Sequence, residues 1–468
     1  MTALAFLPPF GTLAGELARA AIAGAGFLLL FAVAEAWRAL RNPPVEWTRK
    51  LVHFVGGLIA AAFPWLFAWH WTVLALGGAF FLILWGTRRL GLLQSVHGVT
   101  RHSEGGLYYP AAIYILFVIA ASRPVFYLIS ILALVVSDTV AAVLGSTYGR
   151  MGYTVQRDRR TVEGSAVFFL STFLICHLPL LLLTSTPPLL SVLVGLQLAM
   201  IVTLFEGISI RGNDNLIVPL LTYFLLLKLT ARDPAFLAYQ IGAQLAIMAI
   251  VAFMAWRYQF LTASGAMAFM LFFYGAYSLG GEEWTVAPGI ALLAFTVYYL
   301  MRCRPSRAAD SRYQVVAAFY VAIVPALLFV ANNVLETMIH LPTVQSVDPF
   351  YAVFLGAVAS QLALVVYHTD PAAKRGGGWL ATILVLAPLA AFLLVVPLGL
   401  LVSAVDRTDA MIAAGAVLLA AVLVHAIVQW LVARTTHRQR NRGRWALRLQ
   451  TLSVAVAAAL VLPWMLRR

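Results

Sequence analysis

Asp138 is the one charged residue between Pro124 and Gly149, set in the run SDTVAAVLGSTYGRMG at positions 137–152. An uncompensated carboxylate at membrane depth costs several kcal/mol, so it either faces a bundle interior or wet cleft and marks a functional site, or caps a broken helix. On a helix, Ala141, Ala142, Gly145 and Gly149 follow it along one face at three- and four-residue steps. A face that small admits close approach of a phosphate or of another helix. The next segment, RMGYTVQRDRRTVEGS, carries Arg157, Arg159, Arg160, Thr161, Glu163 and Ser165. Arginines, hydroxyls and backbone amides near glycine suit phosphate oxygens, and carboxylates hold Mg²⁺ against those oxygens.

Three further clusters carry the same chemistry. Arg49, Lys50 and His53 lie in RKLVH; Arg101, Glu104, Gly105 and Gly106 in RHSEGGLYYP; Glu206, Arg211, Gly212, Asp214 and Asn215 in EGISIRGNDNLIVP. Each alone reads equally well as a basic anchor or a turn. Together they place five acids, Glu104, Asp138, Glu163, Glu206 and Asp214, among bases, and membrane topology needs only Lys and Arg.

The elements that must position these groups follow from composition. The chain has 468 residues, 62% hydrophobic and 11% charged, with mean hydropathy +0.90, more apolar surface than one soluble core can bury. Apolar stretches long enough to cross a bilayer recur throughout, so the expected fold is all-α, a polytopic transmembrane bundle of about sixteen spans, or fourteen at the fewest. The first stretch, near Ala20 to Trp37, lacks a basic start and a cleavage site and reads as a permanent span. Most of the 32 lysines and arginines fall in loops after odd-numbered spans, which puts those loops in the cytosol and both termini outside. That placement accounts for the net charge of +14 without a nucleic-acid partner, and no obligate protein partner is evident. Every cluster above then lies at the cytosolic face. Cys176 and Cys303 show no metal-ligand spacing and read as packing residues.

Residues 132–139 read LALVVSDT and residues 362–369 read LALVVYHT, in the fifth and thirteenth stretches. The echo predicts two parallel eight-span repeats, with an N-terminal catalytic membrane domain over 1–233 and a degenerate, non-catalytic copy over 234–468. His368 and His425 read as lone packing histidines of that copy.

On these motifs the chain resembles the membrane CTP-dependent lipid kinases, a family comprising dolichol kinase, phytol kinase and the yeast-type diacylglycerol kinase, distantly similar to phosphatidate cytidylyltransferases. The residues that carry the resemblance are Arg49, Lys50 and His53; Arg101, Glu104, Gly105, Gly106 and Tyr108; Ser137, Asp138, Thr139, Ala142, Gly145 and Gly149; Arg160, Thr161, Glu163, Gly164 and Ser165; and Glu206, Arg211, Gly212, Asp214, Asn215 and Pro219. It runs from about Trp47 to Lys228, and the RGNDN turn looks most like the phytol kinase branch. The family's usual lysine before T-x-E-G is Arg160 here, which keeps the charge but exchanges a point donor for a planar fork. Residues from Phe260 to about Pro397 weakly resemble the membrane family that includes phytyl-phosphate kinase, without its S-D-T.

The resemblance implies transfer of the γ-phosphate of CTP, or another nucleoside triphosphate, to the hydroxyl of a phytol- or polyprenol-like alcohol or a diacylglycerol. The expected partners are membrane lipids, the lipid alcohol, the nucleotide and Mg²⁺; the expected location is a bacterial inner membrane with the site facing the cytosol. Asp138, Asp214 and Glu163 are the candidate catalytic groups, and Asp138, Asp214 and Glu206 the candidate Mg²⁺ ligands. Lys50, His53, Arg101, Gly145, Gly149, Arg157, Arg160, Thr161, Ser165, Arg211 and Asn215 are the candidate nucleotide and phosphate contacts. A cytidylyl transferase with the same vocabulary and a transporter remain the alternatives; a transporter would place its charges near the midplane between halves.

Overall fold

The computed structural model describes residues 8–97, 105–155, 158–302, 315–334, 349–370, 378–403, 406–435 and 442–467. Helices dominate: α1 (Leu13–Arg41), α2 (Val45–Ala61), α3 (Phe63–Leu66), α4 (His70–Arg89), α5 (Gln94–His97), α6 (Gly105–Ile119), α7 (Pro124–Leu132), α8 (Asp138–Tyr148), α9 (Val162–Leu183), α10 (Pro188–Ile208), α11 (Asp214–Thr230) and α12 (Pro234–Tyr258). They continue with α13 (Ala263–Arg302), α14 (Val315–Val334), α15 (Pro349–Thr369), α16 (Gly378–Leu401), α17 (Arg407–Thr435) and α18 (Arg442–Met465). Among the described residues, 10 helices are long and apolar enough to cross a membrane, and three shorter apolar ones accompany them. The architecture is an all-α polytopic bundle. Every apolar stretch expected from the sequence lies in a helix, with α13 broken at Gly281, whose φ of 80° only glycine adopts freely.

Helix α9 shows why these helices belong in lipid. Phe168, Thr172, Cys176 and Leu180 form a buried stripe at four-residue steps, while Leu170, Leu174, Leu178 and Leu182 stand 42–71% exposed on the other side. Both faces are apolar. A water-facing helix would carry polar residues outward, so the exposed leucines have hydrocarbon as their solvent.

The chain forms two compact units, Met1–Gly242 and Ala243–Arg468, whose boundary falls inside α12. In the first, α7 and α8 form one continuous rod joined by a π-helical turn at Ala133–Ser137. That rod packs against α2, α9 and α11. One small non-helical element was not foreseen: strands β1 (Gly152–Val155) and β2 (Asp158–Thr161) pair antiparallel, Tyr153 opposite Arg160. In the second unit α15 is buried from Phe350 to Val365, surrounded by α13, α14, α16, α17 and α18. The expectation of isolated histidines there is corrected. His368 Nε2 lies 3.1 Å from His425 Nε2, and Ser453 Oγ 3.4 Å from His425 Nδ1, because buried ring nitrogens must find partners where no water reaches.

Candidate active site

The π turn ends at Ser137, so Asp138 opens α8 at a local distortion of the rod, the kind of irregularity that recurs at functional sites. Ser137 itself points into the protein, where its oxygen accepts from Thr172 Oγ1 at 3.0 Å on α9, locking the rod's rotation. With that rotation set, the Asp138 carboxylate faces α2. Lys50 Nζ donates to Asp138 Oδ2 at 2.5 Å, and His53 Nε2 lies 3.5 Å from the same oxygen. Lys50 and His53 are three residues apart on α2, hence on one helical face.

Two more carboxylates come from the α10–α11 connection. Glu206 sits in the last turn of α10 and Asp214 opens α11, with the RGNDN turn between them. Arg211 (φ 58°) and Gly212 (φ 84°) both adopt left-handed backbone there, which reverses the chain in few residues. Asn213 Oδ1 accepts from the Ile210 amide at 2.9 Å and closes the turn. Carboxylate oxygens of Asp138, Glu206 and Asp214 lie within 4.8 Å of one another. Because Glu206 and Asp214 stand at helix ends, the group is at the end of the bundle rather than its middle.

Arg160 binds the hairpin to this group. Its guanidinium pairs with the Glu206 carboxylate, donates to the Glu206 carbonyl at 2.6 Å and to Ser209 Oγ at 2.7 Å. Burial alone would lower the Arg160 pKa, but the Glu206 and Asp214 carboxylates outweigh it and raise the pKa above the ordinary guanidinium value. Tyr153 on β1 shares a 2.9 Å hydrogen bond with Ser165 on α9, and burial pushes its phenol upward.

These groups line one cavity of about 1000 Å³, at the upper end of ligand-site volumes. Arg49, Lys50, Arg88, Arg159, Arg160 and Arg211 supply positive charge around the three carboxylates. Thr139, Ser165 and Asn215 also line it. Trp37, Phe54, Phe80 and Leu84 add apolar side chains to the same wall. The cavity lining is therefore mixed, part charged and part apolar.

Several expectations change. Glu163 stands apart: its carboxylate accepts from the backbone amides of Arg150 and Met151 at 2.9 and 3.0 Å, and it shapes the turn after α8 instead of facing the cavity. Thr161 is the N-cap of α9, its oxygen accepting from the Gly164 amide at 3.2 Å. A Cβ at Gly145 would lie 3.0 Å from Gly164 Cα, and one at Gly149 2.5 Å from Thr161 Cγ2. Their smallness lets α8 press against β2 and α9, while Gly145, Gly149 and Thr161 also line the cavity. Arg101, Glu104 and Arg157 lie outside the described residues. The sequence reading passed over Arg88 and Tyr109, whose surroundings arise only when α4 and α6 fold onto the site; the spacing of Tyr109 from the Gly105–Gly106 pair was the available signal.

The donor set fits a hard divalent cation: three carboxylates, all oxygen, with cationic side chains left over for phosphates.

No protein-family model matches the chain. It is 34% identical over 190 residues to the phytol kinase of Synechocystis sp., a stretch covering 40% of this chain and 81% of that protein. No solved structure matches.

Proposed function

The chain belongs to the phytol kinase family, and from that premise we propose that it moves the γ-phosphoryl group of a nucleoside triphosphate, CTP foremost, onto the hydroxyl of a long-chain isoprenoid alcohol at the cytosolic face of a bacterial inner membrane. Diacylglycerol is the other acceptor of suitable chemistry. The observation that carries the reading is the meeting of Asp138, Glu206 and Asp214 within 4.8 Å in the wall of a cavity lined by both cationic and apolar side chains.

Phosphoryl transfer asks a protein mainly for positioning and charge neutralisation. Asp138, Glu206 and Asp214 would hold Mg²⁺, which when bound would offset phosphate charge. Arg159 and Arg211, and Lys50 by giving up its contact with Asp138, would approach phosphate oxygens. Arg160 is held by Glu206 and Ser209, so it orients the Glu206 carboxylate and adds fixed positive charge. In the reaction the alcohol oxygen bonds to the γ-phosphorus as the bond from that phosphorus to the bridging oxygen breaks. The alcohol proton passes to a carboxylate oxygen of Asp138 or Asp214. The apolar side chains of the wall let the tail stay in hydrocarbon while its hydroxyl reaches the carboxylates.

The test uses purified chain, phytol and CTP labelled at either the α- or the γ-phosphate. Label in the lipid from γ alone is expected. Label from α would make the protein a cytidylyl transferase, and no labelled lipid with any triphosphate would remove the kinase reading.

A further inference from the structure

The cation and phosphate groups leave one part of the cavity wall unassigned, the start of α2, where Glu46, Trp47 and Arg49 line the same space as Lys50 and Asp138. Trp47 precedes Lys50 by three residues and Glu46 precedes it by four, so the three share a helical face. Four residues at 1.5 Å each put Glu46 about 6 Å along the axis from Lys50, toward the helix start.

The Trp47 indole is 55% exposed, the most open aromatic side chain in the cavity wall. Among the described residues, the β1–β2 hairpin and the α10–α11 turn contribute no aromatic side chain to that wall. An open aromatic plane in a cavity that also gathers phosphate-binding cations is a stacking surface, because every base has a π-face. An indole at a helix end also serves as a membrane-interface anchor. Its neighbours favour the base. Arg49 Nε donates to Glu46 Oε2 at 3.1 Å, with the Glu46 side chain 46% exposed. An ion pair that open to water adds little stability, so re-aiming it at a ligand costs little. Among the described residues, the terminal nitrogens of the Arg49 guanidinium donate to no other group.

A carboxylate acceptor and a forked donor beside an open ring complement one kind of base edge. Cytosine shows, in order, an amino donor, a ring-nitrogen acceptor and a carbonyl oxygen. A carboxylate accepts from the amino group, and a guanidinium fork reaches two adjacent acceptors. Uracil has a carbonyl where cytosine has the amino group, which would set oxygen against the carboxylate. Adenine has the amino group and the ring nitrogen but no carbonyl oxygen beside them.

We infer that the start of α2 is the base subsite of the cavity: the base stacks on Trp47, Glu46 accepts from its amino group, and Arg49 donates to its two acceptors, the edge of cytosine. The triphosphate then runs along α2 toward Lys50 and the three carboxylates. The inference rests on the phosphoryl-transfer reading for its choice of a nucleotide and adds the residues that choose the base.

The experiment is equilibrium binding of CTP and of UTP to the purified full-length chain in detergent with Mg²⁺, read without any lipid. Wild type should bind CTP more tightly than UTP. Trp47→Ala should weaken both by a similar factor, about 5- to 100-fold, the loss of one stacked base, and Trp47→Phe should restore most of the binding. Glu46→Gln, whose amide can donate to the uracil carbonyl, should shrink the CTP-over-UTP ratio about 10-fold, one base-edge pairing. Equal wild-type binding of the two nucleotides, an unchanged ratio in Glu46→Gln, or undiminished binding in Trp47→Ala would each overturn the assignment, the last leaving Trp47 as an interface anchor. A second assay, transfer of labelled γ-phosphate to phytol, separates the two readings. Binding that responds to Glu46 and Trp47 as expected, without any transfer, would support the subsite and count against the kinase reading. Transfer with a base preference indifferent to both residues would do the reverse.

Discussion

Replacing Asp138 with Asn preserves shape and removes one charge, and its effect on stability should depend on whether a divalent cation is present. Three carboxylates within 4.8 Å repel one another. At an effective dielectric near 20, each pair at that distance contributes at least about 3 kcal/mol, and Asp138 belongs to two pairs, so its neutralisation relieves about 6 kcal/mol. Against this stands the Lys50 contact at 2.5 Å, worth about 6 to 7 kcal/mol on the same Coulomb scale. The Coulomb terms nearly cancel, but the substitution leaves the largely buried Lys50 ammonium without its carboxylate, so cation-free Asp138→Asn should be less stable than wild type by about 1 to 3 kcal/mol. With a cation bound, the third carboxylate is attractive and nothing offsets its loss. Wild type at 100 times its dissociation constant gains about 2.7 kcal/mol, a rise of a few degrees in Tm, whereas a variant bound 100-fold more weakly gains only about 0.4 kcal/mol. Thermal unfolding in detergent across a Mg²⁺ or Mn²⁺ titration measures both. An equal cation-dependent rise in Asp138→Asn would refute the three-carboxylate site.

Other outcomes follow from single contacts. Glu163→Gln should keep phosphoryl transfer within a few-fold of wild type in a labelled-lipid assay, because its carboxylate faces the Arg150 and Met151 amides, whereas Asp214→Asn should lower it by roughly 100-fold or more, on the order of a lost charge-stabilising group. Arg160→Lys keeps a charge beside Glu206 but forfeits the Ser209 bond, for about 1 kcal/mol and a modest rise in nucleotide KM; Arg160→Met strands Glu206 and should cost about 3 to 5 kcal/mol in chemical denaturation. Gly149→Ala forces a Cβ to 2.5 Å from Thr161 Cγ2 and should lower Tm by an amount corresponding to about 1 to 3 kcal/mol of overpacking. Ser137→Ala should cost about 1 kcal/mol, since Thr172 loses its buried acceptor.

Helices were legible because crossing hydrocarbon imposes length and apolarity on local sequence, and α9 or α15 needs no knowledge of its neighbours to be recognised. The polar groups were legible as types for the same reason: a carboxylate such as Asp138 in an apolar run is anomalous wherever it points. What each group faces depends on residues far away in sequence. Lys50 meets Asp138 across 88 positions and Arg160 meets Glu206 across 46. Local spacing therefore could not separate Glu163, turned to backbone amides, from Glu206, turned to the cavity. The glycine stripe was equally ambiguous, since a phosphate and the Cα of Gly164 need the same bare surface. The β1–β2 hairpin escaped notice because its four-residue strands lie in a stretch dominated by arginines, and the meeting of His368 with His425 requires α15 and α17 to be adjacent.

The most direct measurement is the position of a bound divalent cation relative to nucleotide and protein, read from paramagnetic relaxation of ³¹P by Mn²⁺ in wild type and in the Asp138→Asn, Glu206→Gln and Asp214→Asn variants. The account predicts strong relaxation of the β- and γ-phosphates in wild type and its loss in each variant. Wild-type relaxation that survives in all three would place the nucleotide elsewhere and contradict the site.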